Sequence, residues 1–338
     1  MVIKLAPVCD AGVPAPLQSA DRQALLLAVP RGFCAGVIRA IDTVRAALRT
    51  LGPPVYVRKE IVHNEQVVEE LAAEGAIFID TLDSVPDGAV LVFSAHGVSP
   101  AVREEADQRH LRVIDATCPL VSKVHLEAIR YARENYSIVL IGHPDHDEVV
   151  GTAGEAPEAI RIVSSIDDVD RLDLPDATRV VYLTQTTLSV DDTAEIVARL
   201  RERFPAIEGP PVQDICYATQ NRQNAVKAVA PRVDLLLVVG ARNSSNSNRL
   251  VEVAARTGTI AHLIRDAGSI REEWLKGRRS IGLTAGASTP DVLIEEVAAR
   301  LRAWGCDSVE EVEVASEDIQ FGLPVLPTLP IGANGVEP

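Results

Sequence analysis

Three cysteines, Cys34, Cys118 and Cys216, each stand where an apolar run gives way to an amphipathic helical pattern. The stretches are LLLAVPRGFCAGVIRAIDTV, LRVIDATCPLVSKVHLEAI and PPVQDICYATQNRQNAV. Turns at the carboxyl ends of parallel strands are where open α/β sheets place their ligands. Three thiols in equivalent turns, far apart in the chain, can converge on one centre and leave a fourth coordination position open. That pattern suits a reactive metal centre better than a structural one. Two metals fit the donor set. Tetrahedral zinc would take a fourth ligand such as His63, His96 or His146. A cubane iron–sulfur cluster held by three thiolates would keep one iron free for substrate. Burial in a core is the ordinary fate of a free thiol, and it explains one such residue more easily than three in matching turns.

Each cysteine has polar companions at similar distances. His63 follows Cys34 by 29 residues, His146 follows Cys118 by 28, and Asn246 follows Cys216 by 30. A further strand end in each segment supplies His96 (SAHG), Thr186 and Thr187 (TQTT) and Ser288 (TAGAS). Ser244 and Ser245 precede Asn246 in a turn that opens a helix. A helix N-terminus with Ser, Asn and His donors can hold a diphosphate without an arginine clamp, although Ser99, Ser244 and Ser288 also read as plain helix N-caps. Glu148, two residues past His146, would serve as a proton donor if burial raised its pKa. Beside Asp145 and Asp147 it reads equally as a solvated loop carboxylate. Neither GxxxxGK[ST] nor GxGxxG occurs, so no P-loop and no dinucleotide fingerprint competes.

The elements that must position these residues alternate between β-branched runs and helical patterns. VYVRKEIV, AVLVFSA, RVIDA, SIVLIG, RVVYLTQ, LLLVVG and SIGLTAG read as strands of parallel α/β architecture. Val37, Ile41, Val44 and Leu48 share one face of the first cysteine helix. The cysteines are 84 and 98 residues apart, each interval long enough for one small βαβαβ unit. The spacing therefore predicts three small related α/β domains around a pseudo-threefold axis, each donating one thiol and two polar strand ends to a central cavity. Their expected bounds are 24–116, 117–213 and 214–314. A flexible N-terminal extension (1–23) and a C-terminal tail (315–338) flank them, and the tail is expected to pack over the third domain.

Bulk properties narrow the partners. A net charge of −15 over 338 residues argues against a nucleic-acid surface or an anionic membrane. No apolar run approaches the roughly 20 residues of a membrane helix. The Ala/Pro-rich first 23 residues match neither a secretory signal nor a transit peptide. A cytoplasmic location follows, where thiols stay reduced and widely spaced cysteines are not disulfides. Cys9, in the extension, and Cys306, after the last long helix, read as bystanders.

RGFCAGV, IVHN, FSAHGVS, DATCPLV, HPDHDEVVGT, TQTTLSVDDT, DICYATQNRQ, NSSNSNRL and TAGASTP occur in this order between about residues 24 and 320. Together they resemble the 4-hydroxy-3-methylbut-2-enyl diphosphate reductase family. The resemblance implies a three-domain α/β protein with a central [4Fe–4S] cluster ligated by Cys34, Cys118 and Cys216. It implies a diphosphate bound among His63, His96, His146, Ser244, Ser245, Asn246 and Ser288. Glu148 would be the proton source, with Thr186 at the substrate's hydroxyl end relaying protons with His146, and Thr187 beside it. The implied reaction is the reductive dehydroxylation that ends the methylerythritol phosphate route. The substrate's hydroxyl would bind the open iron, and an external ferredoxin- or flavodoxin-type carrier would supply electrons. One departure stands out. The family pattern is H-P-E-V-x-G-T, and Asp147 here replaces the proline, which leaves His143 as a rival for the imidazole role of His146.

Overall fold

A computed structural model describes residues 23–174 and 176–327. Cys9 and all but the last residue of the expected extension lie outside them. Strand β1 (Ala24–Val29) opens the described chain. The first cysteine helix, α1 (Ala35–Leu51), leads to β2 (Val55–Arg58), α2 (Glu65–Ala73), β3 (Ala76–Ile79), β4 (Val90–Phe93), α3 (Pro100–Gln108) and β5 (Arg112–Asp115). The second cysteine helix, α4 (Pro119–Arg133), leads to β6 (Ser137–Ile141), α5 (Asp147–Glu155), β7 (Ile160–Val163), α6 (Ile166–Arg171), β8 (Val180–Thr184) and α7 (Val190–Arg203). The third, α8 (Tyr217–Val229), leads to β9 (Leu235–Val239), α9 (Ser245–Arg256), β10 (Ala261–Ile264), β11 (Ser280–Ala285), α10 (Asp291–Ala303) and β12 (Ser308–Glu313).

The strands form three parallel sheets ordered β3-β2-β4-β5, β7-β6-β8 and β10-β9-β11-β1-β12. Each repeats one plan: the first strand after the cysteine helix lies central, flanked by the second and third. The chain leaves that strand towards one side and later returns on the other, which opens a crevice at the strands' carboxyl ends. Strands β4, β6 and β9 (VLVF, SIVLI, LLLVV) are buried throughout, as expected where helices cover both faces of a parallel sheet. In α1, Val37, Ile41, Val44 and Leu48 all face the first unit's core.

The expected boundary at residue 24 needs correction, because β1 pairs with β11 and β12 in the third unit's sheet rather than with β2. The physical reason is a cyclic plan. Strand β5 flanks β4 and feeds the cysteine helix of the second unit. A lone parallel bridge from Val181 to Glu208 flanks β8 ahead of Cys216. Strand β1 flanks β11 and feeds Cys34, closing the ring. Each cysteine turn therefore starts on the preceding unit's sheet. The described part of the tail also differs from expectation: it runs to the first unit, where Leu326 packs against the hydrophobic core beneath α1 and β2.

Candidate active site

All three cysteines occupy the N-cap position of their helices, Cys34 on α1, Cys118 on α4 and Cys216 on α8. Their amides are tied in the same way. Cys34 N–H donates to Ala287 O (3.2 Å), Cys118 N–H to Ala95 O (3.0 Å) and Cys216 N–H to Thr186 O (3.1 Å). Each thiol thus hangs beside the third strand end of the preceding unit, which fixes its direction. A helix N-terminus also favours a thiolate over a thiol. Burial works the other way, pushing Cys118 up to about 12 and Cys216 up to about 11. A metal bound by Cys118 and Cys216 would have to displace their protons.

One cavity collects the three cysteines and most of the polar candidates from the sequence. Its lining includes Cys34, Cys118 and Cys216 together with His63, His96, His146, Glu148, Thr186, Thr187, Ser244, Ser245, Asn246 and Ser288. Gly36 lies at its wall. A Cβ there would come 2.7 Å from the Cys118 sulfur and 3.9 Å from the Cys34 sulfur, so a bare backbone keeps the space between two thiols open. Among the described residues, no three His, Cys, Asp or Glu are arranged to hold a single metal ion.

The histidines form a cluster. His63 and His96 stack with ring centroids 4.1 Å apart, and His146 meets both edge-on at 5.6 and 5.8 Å. Burial, then mutual repulsion, holds His96 well below the ordinary imidazole value and His146 at about 4, so both rings are neutral near pH 7. His146 Nδ1 accepts from the Glu148 amide (3.2 Å), which leaves its Nε2 to carry the proton. His63 Nδ1 lies 3.1 Å from Glu60, a carboxyl held below its usual range chiefly by that bond. His63 Nε2 is buried with no partner among the described residues. An unpaired polar atom in a pocket wall points to a ligand that completes it.

Glu148 is only 2% exposed. Its carboxylate accepts from the Thr186 amide (2.6 Å) and from the Thr186 hydroxyl (3.0 Å). Burial outweighs those bonds and raises its pKa to about 7. The solvated-loop reading is thereby removed. His143 is set apart from this pocket: its Nε2 faces Arg249 at 3.2 Å, and it borders a different, smaller cavity with Asp192 and Ser189. Asp147 occupies the first position of α5 after the His146 cap. An acidic residue suits that position as well as proline does, since it complements the helix dipole.

The serines divide. Ser244 Oγ accepts from the Ser247 amide (3.3 Å) as a helix N-cap, while still lining the cavity. Ser288 Oγ donates to His63 O (2.9 Å), and α10 is capped by Pro290 instead. Ser99 caps α3 without a side-chain bond and is not part of the lining. Asn246 Oδ1 accepts from the Ala287 amide (3.0 Å), and its Nδ2 meets Thr219 Oγ1, which in turn lies 3.2 Å from the Cys216 sulfur. Thr219 and Gln185 are members of this network that sequence reasoning missed; Gln185 Nε2 donates to Thr187 Oγ1 (2.8 Å). Thr219 stands three residues after Cys216, the spacing at which an N-cap meets its helix, and that was the available signal. Cys306 sits in the third unit's core against Gln23, away from the pocket.

A family model described as LytB protein matches residues 25–302. A 4-hydroxy-3-methylbut-2-enyl diphosphate reductase of Mycobacterium ulcerans is 56% identical over 95% of this chain and 98% of its own length. A protein of the same name from Leifsonia xyli is 58% identical, covering 89% of each chain. Among solved structures, the E-1-hydroxy-2-methyl-but-2-enyl-4-diphosphate reductase of Plasmodium falciparum superposes with a TM-score of 0.88 at 44% identity, over 90% of this chain and 96% of that one.

Proposed function

Since the chain belongs to the LytB family, we propose that the thiol-edged pocket performs that family's reductive dehydroxylation with the residues assembled around it. The protein is a 4-hydroxy-3-methylbut-2-enyl diphosphate reductase, acting at the terminal step of the non-mevalonate pathway. The reaction adds two electrons and two protons to an allylic alcohol, expels water and leaves isopentenyl or dimethylallyl diphosphate.

Cys34, Cys118 and Cys216 would hold a [4Fe–4S] cluster; the three N-cap thiols and the open space at Gly36 fit one. When bound, the cluster supplies one-electron transfer and a Lewis-acidic iron without a protein ligand. The chain's own residues do the rest. The diphosphate sits among His63, His96, His146, Ser244, Ser245, Asn246 and Ser288, and His63 Nε2 gains its missing partner. Glu60, bound to Nδ1, fixes the orientation of the His63 ring. The stacked imidazoles and the α5 and α9 N-termini direct donors at the anion and exclude water. Glu148, a carboxylic acid about half protonated near pH 7, donates a proton to the departing hydroxyl. Thr186 holds the carboxylate that remains, with His146 and Thr186 relaying protons and Thr187 completing the wall.

The observation that carries this reading is a buried acid of raised pKa in the same cavity as three convergent thiols. Anaerobic protein with reduced methyl viologen should oxidise the dye only when substrate is added, and should release both products. Substrate-independent dye oxidation, or none, would count against it. In cells, electrons come from an external ferredoxin- or flavodoxin-type carrier. The turn around Cys118 borders an open groove whose charged lining is Arg39, Lys123 and Arg130 against a single carboxylate, Glu127, which suits an acidic carrier on an otherwise acidic protein. No described helix is long and apolar enough to cross a membrane, and a cytoplasmic location suits thiols that must stay reduced.

Two smaller effects follow. His63→Ala should raise KM by roughly ten- to a hundredfold, the worth of a charge-assisted bond to the anion, with iron content unchanged. An unchanged KM would remove His63 from the anion site. Cys306→Ala should cost about 1 kcal/mol of stability through lost packing and leave iron content as in the wild type; loss of iron would overturn the ligand assignment.

A further inference from the structure

Arg222 lies six residues after Cys216 on α8 and is fully buried, at 0% exposure. All three nitrogens of its guanidinium are engaged. Nε and Nη2 donate to Gly32 O at 3.2 and 2.7 Å, and Nη2 also approaches Phe33 O at 3.4 Å. Nη1 donates to Ala218 O at 2.9 Å and to both oxygens of Glu317 at 3.1 and 3.3 Å. Gly32 and Phe33 immediately precede Cys34, and Ala218 follows Cys216 by two. One buried cation therefore joins two cysteine turns that belong to different units.

Glu317 belongs to the irregular segment after β12. It also accepts from Asn221 Nδ2 at 3.0 Å. Five residues on, Gly322 O accepts from Arg39 Nε at 2.8 Å, and Nη1 of the same arginine donates to Thr117 O at 2.9 Å. Thr117 immediately precedes Cys118. The segment is anchored at one end by Val314 N–H to Val29 O (3.0 Å) and at the other by Leu326, packed against the first unit's core. Through two arginines, it touches all three cysteine turns.

We propose that residues 314–327 form a strap that sets the mutual positions of the three thiols, with Glu317 and Arg222 as its positioning pair. This inference rests on the assignment of Cys34, Cys118 and Cys216 as cluster ligands. Glu317 is the natural lever, because among the described residues it is the one carboxylate bonded to the buried Arg222, and a buried cation stripped of its partner relaxes the groups around it. Outer residues that orient ligands commonly change metal affinity by about ten- to a hundredfold.

The test uses the full-length protein, reconstituted anaerobically, with Glu317→Gln and Glu317→Asp. Iron release to a ferrous chelator is followed spectroscopically. In cofactor-free protein, bridging of Cys34 to Cys216 by dibromobimane is measured by mass spectrometry. Glu317→Gln should release iron about tenfold faster and bridge its thiols in altered yield, and Glu317→Asp should partly restore both. Wild-type iron release by Glu317→Gln would overturn the strap. Should the wild type itself take up no iron, the ligand assignment fails instead. The bridging yield then decides the strap alone: an altered yield supports it, and a wild-type yield overturns it.

Discussion

Replacing Glu148 by Gln is expected to lower kcat by about a hundred- to ten-thousandfold, the usual worth of a positioned general acid, while leaving cluster content intact and raising thermal stability at alkaline pH. The amide can keep both partners, accepting from the Thr186 amide and donating to its hydroxyl, so the geometry survives without the proton. The pH dependence has a definite sign. With a folded-state pKa of about 7 against an ordinary value of 4.5, folding takes up a proton between those limits. The contribution of Glu148 to stability is therefore greatest below about pH 4.5 and declines as pH rises towards 7. The penalty is on the order of 3 kcal/mol at most at alkaline pH. Glu148→Gln should melt above the wild type at pH 8 and close to it near pH 4. Wild-type kcat should fall as pH rises through about 7, a limb the variant lacks. Near-normal turnover by the variant would remove Glu148 from the proton-donor role, whatever its effect on melting.

Gly36→Ala should separate the fold from the cofactor site. Alanine is favoured over glycine within a helix by about 1 kcal/mol, and position 36 lies in the first turn of α1. In the cofactor-free protein, the Cys118 sulfur, 2.7 Å from the new methyl, can rotate aside, so the variant should fold and melt near the wild type. A thiolate committed to a metal cannot rotate away. The expected result is a stable, colourless protein that retains little iron after reconstitution. Full iron content in Gly36→Ala would mean that the space between Cys34 and Cys118 is not where the cofactor sits.

The strand-to-helix positions of Cys34, Cys118 and Cys216 were legible because parallel α/β chains punctuate their sequence so regularly. The near-equal spacing of His63, His146 and Asn246 was legible for the same reason. The closing of the ring by β1 was not. Its partner β11 lies more than 250 residues away, and an all-apolar strand says nothing about which sheet it joins. Nor could spacing choose between His143 and His146. That choice depends on which residue caps α5 and which turns towards Arg249, a matter of loop geometry. The role of residues 314–327 was hidden because an irregular, proline-containing segment has no periodicity to read, and its anchors are single polar contacts. Burial of Glu148 was likewise invisible in a run containing Asp145 and Asp147.

The convergence of three N-cap thiols on one cofactor is the claim on which the rest depends. Determining iron and acid-labile sulfide per chain in anaerobically reconstituted protein, alongside Cys118→Ser, tests it most directly. The wild type should be brown and approach four iron and four sulfide per chain, as a cubane requires, and Cys118→Ser should be nearly free of both. A colourless wild type with one zinc per chain, or a Cys118→Ser variant that keeps its iron, would contradict it.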